Sequence, residues 1–450
     1  AAEGGRIRGL KGFGVRSEQN ILRGIEAVRR RTGRMLLGNA YPLARNYRDY
    51  LVEEGGLERV SIAGSLRRMK ETIGDVDLLV GSDEPERVMD LFVSYREVRE
   101  VLAKGATKSS VRLEGGEQVD LRVVGVESYG AALQYFTGSK EHNVELRELA
   151  IGKGYKLNEY GVFKKDTMEK LGGREEKDVY EILGLTLIPP ELREARGEIK
   201  AAADGTLPAL VEQRDIRGDL HIHSAHGYCS YTLREIVDRC VERGYGFAGV
   251  VDHSPSLGVD GGLGPEQVLE KVKEADRLNE ELDGFHIFRG AEVDIKEDGS
   301  LDYPDKVLQD LDLVIAAVHS RFNMDERQMT ERILKAMSND CVDILAHPTG
   351  RLIEQREPYP LKIGEVIEAA VDNRVALELN AMPERLDLND INCRWTKEEG
   401  GLVALGSDAH NLGHLRYMEF GVATARRGWL EPKDVLNCRS IEEVRGWIEG

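Results

Sequence analysis

The sequence has only five cysteines in 450 residues, at positions 229, 240, 341, 393 and 438, none in a paired-finger spacing. That argues against a zinc finger and a disulfide framework, and fits a reducing cytoplasm. No apolar run approaches the roughly 18 residues that a transmembrane helix needs, so no membrane partner is expected. The start is basic and glycine-rich but lacks the apolar core of a signal peptide. Net positive charge is also missing, the formal total being -18. On its own that argues against a nucleic-acid partner, but the average hides an asymmetry. Residues 1–180 carry 31 basic side chains against 29 acids, and the remainder carries 31 against 51. The first 50 residues hold 11 basic and 4 acidic side chains, Arg29-Arg30-Arg31 among them. A local basic surface attracts phosphate despite a negative total. The length suggests several domains, roughly two to four.

Histidine is nearly absent from the first half and crowded in the second, where nine of the ten lie in the last 230 residues. Most follow short apolar runs. Asp219-Leu220-His221-Ile222-His223 opens the set, followed by Asp252-His253, Glu292, His319, His347 and Asp408-Ala409-His410. From residue 216 apolar strand candidates alternate with helix candidates at Leu233–Arg243, Pro265–Glu281, Glu326–Ser338 and Ile363–Asn373. That alternation predicts βα units and a parallel barrel of about seven strands, with the polar residues at the strand ends. Ligands converging from separate strands predict a multi-metal hydrolytic site.

The front half reads differently. A glycine turn at Leu10-Lys11-Gly12-Phe13-Gly14 precedes a helical pattern, and residues 41–57 read as another helix. Strands are predicted at Val60–Ala63, Val76–Val80 and Gln118–Val124, a helix over 127–152, and short strands and turns over 153–190. Residues 191–215 read as a linker plus a short helix. Gly64-Ser65 is followed by Arg67-Arg68 and then Gly74-Asp75-Val76-Asp77. Residues i and i+2 of a strand share a face, so Asp75 and Asp77 can grip the same cations. Asp120, isolated between Val119 and Leu121, can close that site if its strand lies beside theirs. Clustered carboxylates repel unless hard cations offset them.

Gly64-Ser65-Leu66-Arg67-Arg68 through Asp77 resembles the palm motif of the X family of DNA polymerases. Tyr135-Phe136-Thr137-Gly138-Ser139 resembles its nucleotide-contact segment, and Leu157-Asn158-Glu159-Tyr160-Gly161 its thumb motif. The second half resembles the PHP (polymerase and histidinol phosphatase) domain joined to bacterial and archaeal members. The resemblance implies an α/β and α+β multidomain chain. A nucleotidyltransferase-type mixed β-sheet palm with a thumb is followed by a distorted (β/α)7 PHP barrel. The expected units are 1–35, a remnant of the fingers and helix-hairpin-helix region; 36–139, palm; 140–190, thumb; 191–215, linker; and 216–450, barrel. The family's amino-terminal lyase-like region is expected to be missing.

By the same resemblance Asp75, Asp77 and Asp120 bind two catalytic Mg²⁺ or Mn²⁺ ions. Gly64, Ser65, Arg68 and Gly74 hold the triphosphate. Tyr135, Phe136 and Gly138 position sugar and base, Asn143 meets the base edge, and Gly12, Gly14 and Arg147 contact DNA. In the barrel, His221, His223, Glu292 and Asp408 surround one metal. Glu292 bridges to a second completed by His319 and His347, and His253 and His410 belong to a third. Two or three Mn²⁺, Zn²⁺ or Fe²⁺ ions are expected. The sequence departs from the pattern twice. Met69 stands where a glycine commonly follows the paired arginines, and Tyr228-Cys229 stands where a ligand aspartate is usual, leaving His226 as the candidate replacement. Arg351 is a candidate phosphate clamp. The implied function is a cytoplasmic, monomeric DNA polymerase acting on gapped or primed double-stranded DNA with dNTPs, and carrying a metal-dependent 3′-5′ exonuclease or phosphoesterase. A gap-binding scaffold and a small-molecule phosphoesterase are the alternatives.

Overall fold

Alternating apolar residues build the barrel. In a computed structural model, which describes residues 33–257 and 262–449, the second half forms seven parallel strands in sequence order. Before them come a short antiparallel pair, Met35–Leu36 with Thr72–Ile73, five palm strands and three thumb strands. The palm strands are β1 (Val60–Ile62), β2 (Val76–Gly81), β3 (Val98–Lys104), β4 (Lys108–Leu113) and β5 (Gln118–Val124). The thumb strands are β6 (Tyr155–Asn158), β7 (Gly161–Lys164) and β8 (Lys170–Gly172). The barrel strands are β9 (Gly218–Ile222), β10 (Phe247–Val250), β11 (His286–Asp294), β12 (Leu313–Ala317), β13 (Ile344–Leu345), β14 (Ala376–Asn380) and β15 (Val403–Gly406).

Along β12, Leu313, Ile315 and Ala317 share one core with Leu220, Phe247 and Phe288, while Val314 and Ala316 join the core shared with the helices. This is the period of two expected of a strand buried on both faces. A bridge between Ile222 and Ala409 brings the last strand back to the first. The helix Pro265–Glu281 has the bounds expected for it, and Glu326–Met337 ends one residue early.

The palm sheet has the order β1-β2-β5-β4-β3. Only β2 and β5 are parallel, and their register sets Asp77 opposite Asp120. The long helix Leu37–Gly55 packs Leu37, Ala40, Ala44, Tyr47 and Leu51 into the palm core, a spacing of three to four residues that places one helix face inward. The helix expected over 127–152 is broken in two, Tyr129–Thr137 and Lys140–Gly152. Ser139 caps the second by accepting from the His142 backbone N–H at 3.0 Å. A further helix, Glu176–Ile182, lies where only strands and turns were expected. Residues 191–215 are not a free tether. Leu192, Ile199 and Ala202 lie in the thumb core, and buried Glu198 meets His142 Nδ1 at 2.6 Å. Gly12, Gly14 and Arg29-Arg30-Arg31 lie outside the described residues.

The barrel also packs on the palm. Ile353, Leu386 and Phe420 enter the palm core, and Tyr41 meets Phe420 edge-on at 6.3 Å. Arg351, a candidate phosphate clamp by sequence, donates to Glu71 at 2.8 Å and to the Arg385 carbonyl, which ties it into this junction.

Candidate palm and barrel metal centres

Asp75, Asp77 and Asp120 each offer an oxygen within 4.8 Å of the others. The parallel β2–β5 register produces this convergence, with Asp75 just ahead of β2. Gly64 opens the adjoining turn at φ 63, and any Cβ there would collide with the Asp77 carboxylate. The glycine therefore serves the triad as well as any approaching phosphate. Met69 takes φ 53, the left-handed conformation that a glycine holds without strain. For a side-chain-bearing residue this costs about 1–2 kcal/mol, which accounts physically for the glycine usual there.

Burial, with Asp75 and Asp120 beside it, pushes Asp77 up from 3.8 to about 7. Burial also opposes ionisation of Asp120, but hydrogen bonds from Gln118 and Lys108 outweigh it and lower the group. A folded-state carboxyl raised above its unfolded value holds a proton that the unfolded chain releases. Its stability contribution is present at low pH and is lost as pH rises from 3.8 through about 7. Metal-free Asp77→Asn is therefore expected to match the parent's melting temperature near the acid end and exceed it by a few degrees above neutrality. Thermal denaturation in EDTA across pH checks this; a difference that shrinks with rising pH contradicts it.

The triphosphate and base residues are placed differently from one another. Arg68 donates to Glu194 at 3.0 Å and to the Thr137 carbonyl at 2.7 Å. Arg427 donates to the same Glu194 oxygen at 3.0 Å, to the Arg68 carbonyl, and to Asp390 at 2.7 Å. Arg68 is thus tied between thumb and barrel and is not free in the cleft. Tyr135 and Phe136 lie edge to face at 5.1 Å, with the Arg122 guanidinium 4.5 Å from the Phe136 ring centre. Asn143 donates to the carbonyls of Tyr135 and Gly138 at 2.7 and 3.2 Å. It fixes that turn, and Arg147 donates to the Asn143 carbonyl at 3.1 Å. Gly74 lies beside the Arg34 guanidinium, and Ser65 lies in the turn Gly64–Arg67.

In the barrel the predicted ligands meet around Glu292. Its Oε1 lies 3.1 Å from His347 Nε2 and 3.2 Å from His319 Nε2. Its Oε2 lies 2.7 Å from His253 Nδ1, 3.5 Å from His221 Nε2 and 3.7 Å from His223 Nε2. Asp408 Oδ1 is 3.1 Å from His223 Nε2 and 3.4 Å from His410 Nδ1. Three sets converge within 4.8 Å: His221, His223 and Asp408; His253, Glu292 and His319; and His223, His253 and His410. His253 thus joins Glu292 and His319 as well as His410, where the sequence grouping set it apart. His221 Nε2, His253 Nδ1 and Glu292 Oε2, atoms that face the cluster, are buried without a hydrogen-bond partner, the short His253–Glu292 approach being misaligned for one. Orphaned buried donors and acceptors are costly, and bound cations resolve that cost. The residues therefore fit a metal cluster.

Protonation follows the same geometry. Burial opposes charge on His221, but Glu378, Glu292 and Asp408 outweigh it and raise the imidazole well above its usual value. Burial lowers His223 and His347 to about 4, the neutral form a ligand needs. Burial opposes ionisation of Glu292 and Asp408 too, yet the surrounding histidines hold both well below the carboxylate range.

His226 does not join the cluster. Its Nε2 lies 2.7 Å from Glu274 on the neighbouring helix. Tyr228 takes the cluster's open side instead, its ring parallel to His253 at 5.9 Å and 5.2 Å from His410. Sequence reasoning missed the supporting groups. His221 Nδ1 meets Glu378 at 2.6 Å, His319 Nδ1 meets Asp294 at 2.7 Å, and Asn380 donates to Asp408 at 3.0 Å. Glu378 and Asn380 are polar residues in an otherwise apolar strand, the same signal that singled out Asp120.

Fold and centres together define a chain in which a nucleotidyltransferase-type palm and thumb are joined to a PHP-type barrel. The family model described as "DNA polymerase beta thumb" matches residues 132–194, which starts before and ends after the thumb expected at 140–190. The chain is 40% identical over 451 residues to "DNA polymerase/3'-5' exonuclease PolX" of Bacillus subtilis (strain 168), covering 100% of this chain and 79% of that protein. It therefore belongs to the PolX family. A "Probable phosphatase" of Thermoanaerobacter sp. (strain X514) is 30% identical over 242 residues, covering 51% of this chain and 94% of that protein. A solved ternary complex of Leishmania infantum polymerase beta matches 41% of this chain and 94% of that chain at 24% identity, with a TM-score of 0.33.

Proposed function

We propose that the chain is a DNA-directed DNA polymerase that adds dNMP from dNTPs to a primer 3′ end in gap-filling repair, and that its barrel removes nucleotides from 3′ ends. The convergence of Asp75, Asp77 and Asp120 carries the first reading, and the histidine cluster around Glu292 carries the second. The Bacillus subtilis relative is named for both activities, which supports the pairing. Mg²⁺ or Mn²⁺ held by the palm carboxylates, and two or three Mn²⁺, Zn²⁺ or Fe²⁺ ions in the barrel, supply Lewis-acid activation and neutralise phosphate charge.

The chain's own residues set the geometry. Gly64, Ser65 and Gly74 form the approach for the triphosphate, and Arg68 reaches it by leaving Glu194. Tyr135, Phe136 and Gly138 flank sugar and base; Asn143 holds their turn, its oxygen accepting from Gln134 at 2.8 Å, and meets the base edge by releasing these partners. Gly12, Gly14 and Arg147 contact DNA. In the barrel, Glu378 holds the His221 ring and Asp294 holds that of His319. Such outer partners are typically worth 10–100-fold in metal affinity or activity. Glu378→Gln is accordingly expected to weaken metal retention in the barrel about 10–100-fold while leaving extension near the parent rate. Metal content after graded chelation, beside primer extension, checks this; full retention contradicts it.

One gel tests the whole reading. Matched and mismatched primers with Mg²⁺ or Mn²⁺ should be both extended and degraded. A phosphomonoesterase reading of the barrel is favoured by the "Probable phosphatase" relative. Hydrolysis of p-nitrophenyl phosphate with single-stranded DNA left intact would select it. In location and assembly we place the chain as a cytoplasmic monomer.

A further inference from the structure

The candidate metal ligands lie at or beyond the carboxyl ends of the barrel strands, but a polar cavity lies at the amino ends. It has a volume of about 700 Å³ and is lined by Arg217, Arg374, Lys433, Arg439, Glu443 and Trp447. Arg217 immediately precedes β9, and Arg374 stands two residues ahead of β14. Arg439 follows the short turn Leu436–Cys438, and Trp447 lies on the last helix, Ile441–Ile448. The approaches to β9 and β14 and the run from Lys433 to Arg439 thus place four cations around one opening.

The local pairing leaves this charge largely free. Lys433 meets Glu431 at 3.0 Å, and Arg374 donates weakly to the Trp447 carbonyl at 3.5 Å. Among the described residues, the Arg217 and Arg439 side chains have no hydrogen bond and no ion pair. Glu443 is the acid in the lining; the Ser440 backbone N–H, from which it accepts at 2.7 Å, lowers its carboxyl, and nearby Arg217 and Arg439 add to this, so one acid stands among the four cations. Trp447 is half-buried, its inner side packed on the core that contains Leu436 and Val444. The amino end of such a barrel ordinarily serves stability. Lys433 has Glu431 and the two nearest arginines share Glu443, which leaves an excess of positive charge that opposes stability, so the arrangement calls for an anion.

We propose that this cavity is a DNA-strand site, remote from both metal centres. It takes phosphodiester groups on Arg217, Arg374 and Arg439 and a sugar or base against Trp447. Guanidinium forks match phosphate oxygens in shape as well as charge, and an aromatic face accepts any base. The strand is favoured over a free nucleotide because Arg217, Arg374 and Arg439 stand on separate stretches of chain around one open face, an arrangement that takes successive phosphates along a backbone. The choice of DNA rests on the DNA-processing reading above; the cation cluster does not.

The test uses the full chain in EDTA, where neither centre turns over. Binding of fluorescein-labelled oligo(dT) is followed by anisotropy across a salt series. Arg217→Gln/Arg439→Gln is expected to weaken binding about tenfold at low salt. It should flatten the dependence of log affinity on log salt by about 1.4, two phosphate contacts at roughly 0.7 each for a single strand. Arg234→Gln/Arg239→Gln, the same charge change on an exposed helix, should leave both quantities within about twofold of the parent's. Primer extension by the same preparations separates the two claims. If extension is intact and the cavity variant binds with the parent's affinity and salt slope, this proposal is overturned and the polymerase reading stands. An equal loss in the control pair overturns it as well, because the effect would be general charge. Competition by dTTP as strong as that by oligo(dT), phosphate for phosphate, overturns the strand in favour of a free nucleotide.

Discussion

Asp75→Ala and Asp77→Ala are each expected to reduce nucleotide incorporation by about 10³-fold or more, the scale of several kcal/mol of lost transition-state stabilisation. The three carboxylates act as one unit. Asp77 and Asp120 are direct partners across β2 and β5, and Asp75 lies two residues from Asp77. Removing one member leaves too few oxygens to hold two cations. DNA affinity should stay within about threefold, because the triad contributes negative charge and no phosphate contact. Degradation of 3′ ends should persist, because every barrel ligand lies after residue 216. Asp77→Asn is the control for collapse of the site, since it keeps volume and removes the charge that burial, and then Asp75 and Asp120, oppose. Extension by the Asp75→Ala/Asp77→Ala chain at the parent rate would sink the polymerase reading.

How much of this could be read in the sequence depends on the range of each interaction. The barrel strands and the helix Pro265–Glu281 were legible because their cause is local periodicity. The gathering of the candidate histidines and carboxylates was legible because strand ends of a parallel barrel face one rim. Choices among distant partners were not legible. Arg68 and Arg351 have the chemistry of phosphate clamps, but Glu194 and Glu71 engage them at a junction that no local pattern announces. His226 sits in a ligand-rich loop, yet Glu274, 48 residues on, turns it away from the cluster. Helix Glu176–Ile182 was missed because its inward residues, Val179 and Tyr180, give too short an apolar pattern to count. Its second cause is tertiary: fully buried Arg193 pairs with Glu176 at 2.5 Å.

The largest expected effect in the barrel comes from Glu292→Gln. The carboxylate is almost wholly buried and stands within 3.7 Å of a nitrogen on each of five histidines. The surrounding imidazoles hold it ionised, so it supplies a negative charge that the amide cannot. The substitution keeps the volume but replaces one accepting oxygen with a donor facing the ligand nitrogens. Degradation of primer 3′ ends in Mn²⁺ is expected to fall by about 10³-fold or more. Metal content measured by mass spectrometry should fall with it. Primer extension should remain near the parent rate, because the palm triad is untouched. His319→Ala is the second probe, expected to remove much of the degradation, since it contributes one ligand and leaves Asp294 behind as an unpaired carboxylate. A Glu292→Gln chain that keeps its metal and degrades 3′ ends at the parent rate would show that the cluster is not the nuclease. A parent chain that extends primers but leaves 3′ ends intact with Mn²⁺, Zn²⁺ and Fe²⁺ alike would make the barrel a structural or processivity element instead.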